Sequence, residues 1–175
     1  MIRLVIDTDP GVDDAHAIML AAAHPDVHIE ALTTVVGNNS LERTTDNACK
    51  ILDLLGLEAP VYRGSPHPLV HPAAFASYFH GEDGLGDSGY PPSARRVEPE
   101  HAALALIRLA EQSPGELTLA AIGPLTNLAM QVRTPERLRG RVLGVITSTG
   151  LAAGPLGYLL VGPLIEATST ETAFL

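Results

Sequence analysis

The chain has 175 residues, 46% of them apolar and 18% charged, which is enough for one domain with a sizeable core. Its net charge of −9, from 20 acidic against 11 basic residues, argues against a nucleic-acid backbone or an anionic membrane surface as partner. A small neutral ligand, or one held through a metal cation, suits that balance better. Cys49 is the single cysteine; an internal disulfide is excluded, and its place beside Ala48 and Ile51 predicts a buried, inert thiol. The opening residues 1–6 reach acids at once, with no room for the apolar core of a signal peptide, so the cytoplasm is the expected compartment.

Residues 2–6 are a short β-branched run ending abruptly in acids, and predict a buried strand. After the Pro10-Gly11 turn, Val12, Ala15, Ile18, Met19 and Ala22 recur at helical spacing as far as His24-Pro25. Residues 29–36 predict a second strand, closed by Gly37-Asn38-Asn39. A second helix follows over 41–55, with Ala48, Ile51, Leu52 and Leu55 on one face and Gly56 as its stop. Residues 60–62 open a short third strand. From 64 to 99 the chain turns rich in glycine and proline with few periodic apolar positions, and a loop of that length in a compact domain is functional or mobile. A helix over 99–111, a strand over 117–122, a helix over 125–132 and a strand over 141–146 complete the pattern. Residues 142–165 carry no charge, but Gly144, Gly150, Gly154, Pro155, Gly157, Gly162 and Pro163 argue for a buried strand and irregular chain rather than a membrane span.

Strands alternating with helices imply right-handed βαβ units. The expected fold class is α/β, an open and mostly parallel sheet with helices on both faces. In such sheets ligands bind beyond the carboxyl ends of the strands.

That rule directs attention to Asp7-Thr8-Asp9-Pro10-Gly11-Val12-Asp13-Asp14-Ala15. Four carboxylates fall within eight residues at a strand-to-helix turn, where mutual repulsion requires a cation or a set of donors to offset it. Asp13 and Asp14 in a first helical turn would favour the helix dipole without any ligand, but that account leaves Asp7 and Asp9 unexplained, and a metal site is the better reading. The side-chain donors are all hard oxygens, with no Cys or His cluster beside them, so calcium or magnesium fits better than zinc. Two carboxylates do not fill a calcium shell of about six to eight oxygens; carbonyls, waters and substrate hydroxyls must contribute.

The same segment resembles the signature of the inosine-uridine-type nucleoside hydrolases. Further stretches match in the expected order: Thr33-Thr34-Val35-Val36-Gly37-Asn38, Val61-Tyr62-Arg63-Gly64, His80-Gly81-Glu82-Asp83-Gly84, and Ile122-Gly123-Pro124-Leu125-Thr126-Asn127-Leu128-Ala129. The resemblance covers about residues 1–146 and implies calcium-dependent hydrolysis of the N-glycosidic bond of ribonucleosides to free base and ribose. It implies that Asp9 and Asp14 coordinate Ca2+ with the backbone carbonyl of Ile122, and that Asp9 is the general base. Asp13 would hold a ribose hydroxyl, Asn38 would line the ribose and water pocket, and Asp7 would be a supporting carboxylate behind the ligands. A nucleoside is the implied partner, with a homodimer or homotetramer as the implied assembly.

Weaker candidates stand beside these. His80 lies in the glycine-rich loop, either on a flap that closes over substrate or as a solvated loop histidine. His16 and His101 are expected at the surface, and Asn127 is expected to satisfy local backbone groups rather than touch substrate. The resemblance stops near Thr147, where Thr147-Ser148-Thr149-Gly150 stands in place of a Met-Gly-Gly-like turn. The family's Glu-Phe-Asn ribose segment, a further Asp ligand and a His that assists the leaving base have no match in 151–175. Residues 1–146 are thus read as a partial nucleoside-hydrolase-like domain and 147–175 as an atypical tail, non-native or disordered, of the kind a frameshift or early stop produces, with little or no turnover expected from the chain. A haloacid-dehalogenase-like phosphatase is the rival enzyme reading, since Asp7 and Asp9 are spaced like its paired aspartates. A non-catalytic remnant is the third.

Overall fold

The computed structural model describes residues 1–69 and 72–131; the strand expected over 141–146, the uncharged segment 142–165 and the tail 147–175 lie outside them. In chain order the elements are β1 (Ile2–Thr8), α1 (Val12–Ala23), β2 (Val27–Thr34), α2 (Leu41–Leu55), β3 (Val61–Arg63), α3 (Ser77–His80), α4 (Ala102–Gln112), β4 (Leu117–Ala121) and α5 (Thr126–Gln131). The four strands form one sheet in the order β3-β2-β1-β4, and every neighbouring pair is parallel. Among the described residues no helix is long and apolar enough to cross a membrane.

Alternation along the strands divides the core between the two faces. Ile6, Ile29, Leu32 and Val61 pack with Ala15 and Ile18 of α1 and with Ala48, Ile51 and Leu52 of α2. Val5, Ala31 and Tyr62 face the other way, onto Ala102, Ala105 and Leu106 of α4. Helices therefore cover both faces, and each fully buried Leu or Ile among these contributes about 1.5–3 kcal/mol.

Local chemistry sets the helix ends. Ser40 caps α2 by accepting the Arg43 N–H at 3.4 Å, and Gly56 closes it at φ 63° with its own N–H turned back to Leu52 and Asp53, a left-handed stop that glycine adopts without strain. α4 begins at Ala102 rather than at 99 because the His101 ring accepts the Ala103 N–H at 3.2 Å. The histidine expected at the surface is thus a half-buried cap. β2 ends at Thr34, two residues before the expected limit, where Val36 leaves the sheet and donates its N–H to Ser65.

The order of strands locates the crevice. β1, β2 and β3 step outward in one direction, and the chain then returns to place β4 on the opposite side of β1. That reversal opens a gap between the loops after β1 and β4 at their carboxyl ends, the place where open α/β sheets hold ligands. The outer edge of β3 is covered by residues 93–98: Glu98 N–H donates to the Val61 carbonyl, and Arg95 donates to Asp53 and to the Leu57 carbonyl.

Candidate functional site

Thr8 ends β1 and Val12 begins α1, so Asp9 lies on the connecting turn while Asp13 and Asp14 lie in the first helical turn. Asp14 is buried and takes three donors: the Thr8 hydroxyl at 2.6 Å, the Gly11 N–H at 3.2 Å and Asn38 Nδ2 at 3.1 Å. Asp9 is also buried. Its Oδ2 accepts the Asn38 N–H at 2.7 Å, and Asn38 Nδ2 donates to the Asp9 carbonyl at 3.1 Å. One asparagine therefore braces both carboxylates.

Glycines make room for them. A Cβ on Gly37 would stand 2.0 Å from Asp9 Oδ2, one on Gly123 2.8 Å from Asp9 Oδ1, and one on Gly11 2.8 Å from Asn38 Nδ2. Any side chain at these positions would occupy the space the carboxylates use.

Burial, followed by the charge of Asp14, pushes the Asp9 carboxyl up to about 7. Burial raises Asp14 as well, against the opposing hydrogen bond from Thr8. Among the described residues neither carboxylate is paired with a lysine or arginine. Two buried acids braced by one asparagine and lacking a counter-charge are costly to ionise, and a cation removes the cost. Their oxygen chemistry fits calcium. Among the described residues, however, no three His, Cys, Asp or Glu side chains converge as a metal cage. Asp9 and Asp14 would hold the ion with main-chain oxygen and groups from elsewhere.

The remaining predicted residues are distributed around this pair. Ile122 follows β4, and its N–H and that of Gly123 donate to the Asp7 carbonyl at 2.9 and 3.1 Å. No cis peptide occurs among the described residues, so the Ile122 carbonyl is directed away from Asp7; among those residues it accepts no hydrogen bond. Its side chain is exposed. Asp13 is 80% exposed, with its Oδ1 3.8 Å from His80 Nδ1.

Asp7 is fully buried, its Oδ1 accepts from the Thr33 hydroxyl at 2.5 Å and Asn127 Nδ2 at 2.9 Å, and burial lifts it to about 6. Two expectations need correcting. Asn127 is not a local fixer, for it spans to Asp7, to the Thr34 carbonyl and to the Ser65 N–H. His80 is neither solvated nor on a free flap. Its Nδ1 accepts the Val12 N–H at 3.3 Å, which places the neutral ring's proton on Nε2. The loop behind it is tied down: Ala76 N–H donates to the Asn38 carbonyl, Asn39 to the Glu82 carbonyl, and Asn47 to the carbonyls of Pro10 and Asp83.

Asn39 and Asn47 are buried amides given no role in the sequence reading, because an asparagine carries no sign of which distant backbone it will meet. Thr8 was also missed; its position between two aspartates of the acidic turn was the available signal. Cys49 is buried as expected, its thiol pushed up to about 11 by burial. The phosphatase reading is not favoured, because Asp7 is enclosed and Lys50 is paired with Asp46 at 2.9 Å within α2.

With two buried carboxylates at the switch point of a parallel sheet, similarity to known proteins becomes decisive. A family model described as inosine-uridine preferring nucleoside hydrolase matches residues 4–156. The chain belongs to that family. It is 42% identical over 151 residues to the inosine-uridine preferring nucleoside hydrolase of Leishmania major, covering 85% of this chain and 48% of that protein. It is 40% identical over 167 residues to uridine nucleosidase 1 of Arabidopsis thaliana, covering 94% of this chain and 49% of that one. A solved plant nucleoside hydrolase superposes with a TM-score of 0.73 at 39% identity, over 77% of this chain and 43% of its own. This nucleoside hydrolase chain thus spans about half the length of the curated relatives it matches.

Proposed function

We propose that the chain carries the calcium- and ribose-binding part of a nucleoside hydrolase site, for hydrolysis of the N-glycosidic bond of ribonucleosides to base and ribose. The supporting observation is the Asp9–Asn38–Asp14 arrangement: two buried acids braced by one asparagine, through its backbone N–H and its side-chain amide, without a basic partner among the described residues. Asp9, Asp14 and the Ile122 carbonyl would hold the ion, which when bound supplies the charge that grips a ribose diol and acidifies a water molecule.

The chain's own residues supply the rest. Breaking the bond builds positive charge on the sugar, which nearby carboxylates stabilise. Asp9 accepts the proton of the attacking water, since one carboxylate can both touch the ion and take that proton. Asp13, at the solvent side of the turn, receives a ribose hydroxyl. Asn38 keeps Asp9 and Asp14 in register and lines the pocket beside them, with Asp7 supporting from behind. His80, fixed as a donor at Nε2, faces the substrate from the loop above α1.

Turnover by these 175 residues alone is expected to be low, because two carboxylates and one carbonyl leave most of a calcium shell to other donors. Calcium titration by calorimetry on the chain and on its Asp14→Ala variant tests the reading. Heat of binding in the first and none in the second is expected; equal heats in both, or none in either, would refute the metal assignment. Enzymatic release of ribose from inosine or uridine by the chain would refute the expectation of low turnover.

A further inference from the structure

Asn127, fully buried at the second residue of α5, is the amide on which four segments meet. Nδ2 donates to Asp7 Oδ1 in β1 and to the Thr34 carbonyl at the end of β2, each at 2.9 Å, and Oδ1 accepts the Ser65 N–H just after β3 at 2.9 Å. Both donor hydrogens are used, and the oxygen serves a third segment. Only a side chain with two donors and an acceptor at this length does all three. An aspartate would lose both donations and set a second buried carboxylate against Asp7. The space is reserved as well: a Cβ on Gly64 would stand 2.1 Å from Asn127 Oδ1 and 2.4 Å from the Thr34 carbonyl.

The consequence reaches the site through Asp7. Its carbonyl receives both N–H groups of the Ile122–Gly123 turn, and Gly123 packs against Asp9 Oδ1 and the Asp9 N–H. The carboxylate Asn127 grips and the carbonyl that anchors Ile122 belong to one residue, two positions before Asp9. We propose that Asn127 is a positioning residue, which locks the ends of β1 and β2 and the loop after β3 to α5 and so fixes the Ile122 carbonyl relative to Asp9. Asn127 touches neither of the carboxylates it serves.

The test compares the chain with Asn127→Ala, Gly64→Ala and a control, Leu52→Ala, which destabilises the opposite face of the sheet. Amide hydrogen exchange is read first, being independent of any metal. Exchange at Ile122 and Gly123 is expected to rise about fivefold or more in Asn127→Ala and in Gly64→Ala but not in the control; a smaller rise, or the same rise in Leu52→Ala, overturns the proposal. Should Asn127→Ala fail to fold, Gly64→Ala carries the same comparison. The second readout, calcium affinity by calorimetry, rests on the functional reading above. About a tenfold loss in Asn127→Ala is expected, with the control unchanged; retained affinity, or an equal loss in the control, overturns the positioning role. A wild-type chain that takes up no calcium refutes the metal reading, and the exchange comparison then decides the role of Asn127 by itself.

Discussion

The sharpest prediction concerns Asp9→Asn in the metal-free protein, where removing the proposed general base should stabilise the fold. The Asp9 carboxyl titrates at about 7 in the folded chain against an ordinary 3.8. A group whose folded value lies above its unfolded value binds more protons when folded, so stability is full below the unfolded value and falls as pH rises through the folded one. The loss is near nil below about pH 3, ~2 kcal/mol at about pH 5 and ~4 kcal/mol above about pH 7, taking roughly 1.4 kcal/mol per unit as an upper bound. Asparagine has the same shape, still accepts the Asn38 N–H and carries no charge at any pH. Its advantage over wild type should therefore grow with pH and reach on the order of 10 °C in thermal midpoint at about pH 8. Urea or thermal unfolding in a chelator at about pH 5 and pH 8 measures it. Calcium should narrow the gap at the higher pH, stabilising wild type by ~2.7 kcal/mol at about a hundred times its dissociation constant and leaving Asp9→Asn unmoved. An Asn variant less stable than wild type at the higher pH, or an advantage equal at both, would refute the account of a buried, uncompensated carboxylate.

Other outcomes follow from the same geometry. Gly37→Ala would set a methyl 2.0 Å from Asp9 Oδ2 and 2.9 Å from Pro124 Cγ; urea unfolding should show a loss of ~1–3 kcal/mol, with calcium heat abolished. His80→Ala removes the acceptor of the Val12 N–H and should cost ~1 kcal/mol while leaving calcium affinity unchanged, since His80 bonds to neither Asp9 nor Asp14. The Cys49 thiol, raised to about 11, should react with a disulfide reagent ~100-fold more slowly in the native chain than after unfolding at the same pH.

Much of this architecture was legible in the residues. The β-branched runs and the 3.6-residue recurrence of Ala48, Ile51 and Leu52 gave strands and helices close to their observed limits, because burial on one face leaves a periodic trace. Gly56 marked the end of α2 by local chemistry alone. The acidic turn marked the site for a similar reason: four carboxylates in eight residues is a local anomaly in charge. What the residues did not disclose is long-range polar pairing. Asp7 and Asp9 are equally acidic and separated by one residue, yet Asp7, still within β1, points into Asn127 and Thr33, whereas Asp9, past the strand's end, sits at the turn with Asn38. His80, in a glycine-rich loop, could be read as part of a flap or as a solvated histidine, whereas its surroundings are fixed by Asn38, Asn39 and Asn47, amides far away in sequence whose partners no pattern announces.

Asp14 shows why such a site persists despite its cost. Its carboxylate accepts the Gly11 N–H at the start of α1, a contact that closes the helix end whether or not an ion is present. The Thr8 hydroxyl and the Asn38 amide complete its donor set, so Asp14 is held in place by structural bonds. Asp9 accepts its one inter-residue side-chain bond from Asn38 and has less to offset its burial. The two acids therefore divide the work: Asp14 is anchored by the fold, while Asp9 retains a carboxyl poised near neutrality. An ion or a proton at Asp9 then relieves the same unfavourable charge, and the two should compete. Calcium affinity of the chain should consequently rise about tenfold per pH unit below about pH 7, a slope that His80→Ala leaves intact.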